Sequence, residues 1–79
     1  MSEQDIINFF SNQLNFAMKA TDAGVTFIDP FRGLEVMITS STFSIGYVGF
    51  KQEYYGIDEI TDISADADNQ ILVSIRKTF

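Results

Sequence analysis

The sequence predicts an α+β fold, an N-terminal amphipathic helix packed on an antiparallel β-meander of about five short strands. Three observations carry this. Apolar residues recur at helical spacing up to about residue 20, and from Val25 onward they alternate with polar ones. The change falls at Asp22-Ala23-Gly24, which is turn chemistry. Eight Phe and three Tyr supply core-forming bulk in a chain that has no Cys for a disulfide and no Cys/His pair for a zinc site. Helical pattern first and strands afterwards is the α+β order, and 79 residues allow one domain, residues 1–79.

The helix comes first. At 100° per residue, Phe16, Phe9, Ala20, Gln13, Ile6, Ala17, Phe10, Leu14, Ile7 and Met18 share one arc of about 200°. Asp5, Asn8, Ser11, Asn12, Asn15 and Lys19 fill the rest. This predicts a helix over roughly residues 3–20, with Ser2 as N-cap and Glu3 and Asp5 at the positive end of the helix dipole. The arc is about twice what a helix needs to lie on a sheet. Either the helix sinks into a concave sheet, or Phe9 and Phe16 at one edge of the arc face a second subunit or partner.

The strands follow. Val25 to Asp29 and Leu34 to Thr39 flank Asp29-Pro30-Phe31-Arg32-Gly33, where Pro presets a turn and Gly accepts left-handed closure. Ser40-Ser41 allows a tight reversal into a third strand, in which Phe43, Ile45 and Tyr47 alternate with Thr42, Ser44 and Gly46. Lys51 to Tyr55 reads as a short fourth strand. Ile57, Ile60 and Ile63 are spaced by three, which fits neither a strand nor a long helix, and a turn or single helical turn is expected near Asp58-Glu59, entering a strand at about Ile60. Asp68-Asn69 supplies a turn that tolerates left-handed φ, and Ile71, Val73 and Ile75 are expected to close the same sheet.

Composition removes whole classes of function. Without His or Cys the commonest general base, transition-metal ligand and reactive nucleophile are missing. Ser40, Ser41 and Thr42 have no neighbouring base to activate them, and Gly46 and Gly49 fit no phosphate-loop spacing. We therefore expect no enzyme, no catalytic residues and no cofactor. A net charge of −6 repels phosphate and anionic lipid, so direct nucleic-acid or membrane binding is not expected. The N-terminal residues lack the basic start and apolar run of a secretory signal, and a cytoplasmic location is expected.

Five of the eleven acids, Asp58, Glu59, Asp62, Asp66 and Asp68, form an acidic patch in the sequence. As a calcium loop starting at Asp66, it places Ile71 where Gly is needed and Lys77 where a bidentate Glu is needed, so no metal site is expected. The same acids could imitate a phosphate path, although they interleave with Ile and Ala. Tyr54 and Tyr55 point to opposite faces of a strand, which makes one of them core and the other a contact anchor. The expectation is a small acidic protein-interaction module that binds a protein partner, a basic one being favoured by charge. It is of the accessory or inhibitor kind that phages and mobile elements encode, and it is expected to form a homodimer. Alternatives are an acidic nucleic-acid mimic that occludes a nucleic-acid-binding protein, and a homo-oligomeric structural module. Candidate interface residues are Phe9, Phe16, Tyr54 and Tyr55.

Overall fold

A computed structural model describes residues 1–76. Helix α1 spans Glu3–Ser11 and begins with a reciprocal cap. The Ser2 hydroxyl accepts from the Asp5 N–H at 3.1 Å, and the Asp5 carboxylate accepts from the Ser2 N–H at 3.0 Å. Those bonds from Ser2, backbone first, hold the Asp5 carboxyl below the ordinary carboxylate range. Ile6 and Phe10 are the buried residues of the helix.

The helix stops well short of residue 20, because Asn12 is already its C-cap. The Asn12 side chain donates to the Asn8 carbonyl at 2.9 Å, and main-chain bonds from Gln13 to Phe10 and from Phe16 to Gln13 wind the chain out of the helix. Ser11 to Asn15 is poor helix material, since Ser and Asn compete with the backbone for its own bonds. Ala17–Ala20, expected to be helical, instead forms strand β1. The helical period of its apolar residues is coincidental. Four residues gain more from a ladder with the next strand than from an uncapped helical extension.

Strands β2 (Gly24–Asp29), β3 (Leu34–Thr39), β4 (Thr42–Tyr47) and β5 (Glu53–Gly56) complete a five-stranded antiparallel sheet in sequence order. Register places Met18, Phe27, Val36, Ile45 and Glu53 in one cross-strand row. Ala20, Val25, Ile38, Phe43 and Tyr55 form a second row on the same face. The intervening row, Lys19, Thr26, Met37, Ser44 and Tyr54, lies on the opposite face.

A 3₁₀ turn, Ile57–Glu59, follows β5 directly and redirects the chain. Strands β6 (Ile60–Ala65) and β7 (Ile71–Ile75) then form a separate two-stranded sheet and do not close the first. The isoleucine spacing of three reflects this change of direction. Ile57, Ile60 and Ile63 all reach one core with Ile6, Phe10, Phe27, Val36, Ile38 and Phe43. The hairpin therefore covers the inner face of the five-stranded sheet together with α1. The Met1 ammonium donates to the Ile60 carbonyl at 2.6 Å and fastens the two covering elements together. Asn69, at φ +61°, supplies the left-handed residue anticipated for the β6–β7 turn, as Gly33 does at +68° for β2–β3.

Gly24 is required for space. A Cβ built there would lie 2.0 Å from the Ile38 carbonyl oxygen on the paired strand, and main chain cannot swing aside. Gly24→Ala is expected to lower stability by about 1–3 kcal/mol, read as a lower midpoint in urea denaturation. Gly33→Ala meets no neighbour and tests the left-handed φ alone.

Candidate contact surfaces and an arginine latch

The best-organised polar site lies where three chain segments meet. Asp29 closes β2 with its side chain fully covered, and the acid of the Asp-Pro turn accepts three hydrogen bonds from that turn. Its Oδ1 takes the N–H groups of Phe31 at 2.9 Å and Arg32 at 3.3 Å, and its Oδ2 takes Arg32 Nε at 2.6 Å. Burial pushes the Asp29 carboxyl up. The Arg32 side-chain bond, the two main-chain bonds and the guanidinium charge outweigh it and hold the carboxyl below its ordinary value.

Arg32 reaches further. A terminal guanidinium nitrogen donates to the Asn69 carbonyl in the β6–β7 turn. The guanidinium carbon also stands 5.8 Å from the centre of the Phe16 ring, in the segment leaving α1. One side chain thus ties the sheet, the helix exit and the C-terminal hairpin together. A cleft of about 320 Å³ beside it is lined by Asn12, Gln13, Leu14, Asn15, Phe16, Arg32 and Asn69. This lining offers amides and one cation that is already paired, with no nucleophile and no base. Asp29 and Arg32 are inconspicuous in the sequence beyond the turn they flank. The visible signal was an acid and a base three apart across a Pro-Gly turn.

The anticipated contact residues divide between core and surface. Phe9 and Phe16 are half-buried, with edge-on ring centres 5.0 and 5.2 Å from Phe10, so both serve the intramolecular aromatic cluster. Tyr55 stacks on Phe43 at 6.2 Å. Its hydroxyl donates to Glu53 at 2.7 Å, and that bond, with burial and the Glu53 charge, raises its pKa. Tyr54 is exposed on the outer face of the sheet. Of the four, Tyr54 is the one presented whole to solvent.

The acids do not converge. Asp58 and Glu59 lie on the 3₁₀ turn, Asp62 on β6, and Asp66 and Asp68 at the far turn of the hairpin. The six-residue length of β6 separates the two groups by roughly 20 Å. Asp66 is engaged locally, accepting from the N–H groups of Asp68 and Gln70 at 2.9 Å each. Among the described residues, no three His, Cys, Asp or Glu side chains are grouped to hold a metal ion.

One group of exposed apolar residues was not singled out by the sequence. The Val48 N–H donates to the Gly33 carbonyl at 2.7 Å and holds the β4–β5 loop against the β2–β3 turn. Phe31, Tyr47, Val48 and Phe50 therefore collect at one end of the sheet, with Phe31 91% and Phe50 77% exposed. Pairing four surface aromatics and aliphatics at one end depends on which turns meet, and residue type alone does not disclose that.

By fold and site this is an α+β domain with a side-chain latch and an apolar loop end. Comparison with protein-family models, curated proteins and solved structures found no significant match to the chain. Among the described residues, no helix is long and apolar enough to cross a membrane.

Proposed function

We propose that the protein is a non-enzymatic interaction module that meets a protein partner through the loop end of its sheet. The observation that carries this reading is the gathering of Phe31, Tyr47, Val48 and Phe50 by the Val48–Gly33 bond. Exposed large apolar side chains clustered on a small domain mark contact sites, and aromatics dominate the energetics of such contacts. Tyr54 is a separate exposed aromatic, opposite Ser44 on the outer face of the sheet. The net charge of −6 favours a partner with a neutral or basic rim, which suits an accessory or inhibitor protein.

Photo-crosslinking groups at position 50 or position 62, in extract from the native cell, test the reading. Position 50 is expected to trap a partner, and position 62 is not. The double variant Phe31→Ser/Phe50→Ser is expected to lose capture while its stability stays within about 0.5 kcal/mol of the parent, because both rings are exposed. Under nucleic-acid mimicry the pattern reverses. Capture then runs through position 62, duplex DNA competes, and neutralising Asp58, Glu59 and Asp62 abolishes binding.

A further inference from the structure

Among the described residues, strand β1 is a free edge of the five-stranded sheet, and all four of its residues are exposed. The phase of its hairpin with β2 fixes which main-chain groups point outward. Thr21 and Gly24 exchange both main-chain bonds around the two-residue turn, at 2.8 and 3.3 Å. Bonded and non-bonded pairs alternate from there along an antiparallel ladder. Lys19 with Thr26 and Ala17 with Ile28 are then bonded pairs, whereas Met18 and Ala20 turn N–H and C=O away from β2. Those groups form a template for one more antiparallel strand.

We propose that this edge pairs with the same edge of a second copy, about a twofold axis through Met18, to give one continuous sheet. The axis position follows from the chemistry of the strand. Centring on Met18 lets the two Met18 residues exchange both main-chain bonds, and each Ala20 N–H meets the Phe16 carbonyl of the other copy. Phe16 needs no new acceptor, since its own N–H already donates to the Gln13 carbonyl at 3.2 Å. Each Lys19 then faces Ala17 of the other copy. Centring on Lys19 would stack two ammonium groups on one face, which is destabilising.

Side chains agree with that register. Met18 is 61% exposed at the end of the inner row that holds Phe27, Val36 and Ile45, and its copy would cover it. The opposite edge of the sheet is defended differently. Lys51, Glu53, Asp58 and Glu59 lie on or beside β5, whereas β1 carries Lys19 as its one charge, with no Pro and no bulge against β2. The edge is separate from the loop end, so either surface can fail its test without affecting the other.

Sedimentation from micromolar to millimolar concentration, with amide exchange at the same concentrations, tests the dimer. The mass is expected to double, and more readily at high salt because each copy carries −6. Protection at the Met18 and Ala20 amides should rise with concentration, while the Lys19 amide, already bonded to β2, should not change. Met18→Pro removes the outward N–H and no β1–β2 bond, and should weaken association about tenfold or more. Met18→Lys leaves the backbone unaltered, sets like charges across the axis and should act in the same direction. A chain that stays monomeric throughout overturns the proposal, as do Met18 and Ala20 amides indifferent to concentration. A dimer that resists both variants but yields to Phe9→Ser moves the contact to the helix and also overturns it.

Discussion

Phe10→Ala is expected to lower stability by about 3–5 kcal/mol, the usual cost of emptying an aromatic site. A domain of this size has little more than that in reserve. Phe10 is fully buried, and four other Phe rings surround it: Phe9, Phe16, Phe27 and Phe43, with centres 5.0, 5.2, 5.6 and 6.0 Å away. Its removal separates the helix from the sheet and leaves the rings of Phe9 and Phe16 with no inner neighbour. The variant should show little near-ultraviolet circular dichroism and unfold at low urea. Phe10→Leu keeps most of the volume and should retain a cooperative transition. A Phe10→Ala protein as stable as the parent would mean that α1 contributes nothing to the fold.

Asp29→Ala is expected to cost about 2–4 kcal/mol, because it strands two turn N–H groups and leaves a partly covered guanidinium without its carboxylate. Asp29→Asn keeps an acceptor for the turn but loses the charge, and should cost less. The pH dependence has a defined sign. The folded-state pKa of Asp29 lies below the ordinary carboxylate value. Its contribution is therefore complete above the unfolded-state pKa, at about pH 4, and is lost as pH falls through the folded-state value. Urea midpoints measured downward from neutral pH should fall more steeply in the parent than in Asp29→Asn. Asp5, lowered in the same direction by its cap, contributes a slope of the same sign in both.

Alternation made most of the sheet legible in the sequence. The inward sets of β2, β3 and β4 are those that period two selects, and the Pro-Gly turn and Asp68-Asn69 act where their backbone preferences place them. The helix start was legible through Ser2, but its end was not. Phe16, Ala17 and Ala20 continued the helical arc by chance, and only the run of Ser and Asn signalled termination. The split into two sheets was illegible in principle, since β7 alternates equally well whichever sheet it joins. Surface sites fared worse for a similar reason. Phe9 and Phe16 sit at the edge of an idealised helical arc, yet exposure depends on what the loops cover. Phe31 and Phe50 are isolated in sequence and come to the same end of the sheet only because two turns are hydrogen-bonded side by side.

Each strand of the larger sheet pairs with its neighbour in sequence, so that half of the molecule closes only short loops as it forms. The β6–β7 hairpin is equally local within itself, yet it meets the rest through distant partners. Met1 and Ile60 are separated by 59 positions, and Arg32 and Asn69 by 37. Rapid local zippering followed by one long-range docking step is the kinetic order this connectivity favours. Until docking is complete, the part of the inner face that the hairpin covers stays open beside the β1 edge. Arg32 is thus less a brace for the finished fold than the closure that ends the chain's interval of greatest exposure to misassembly.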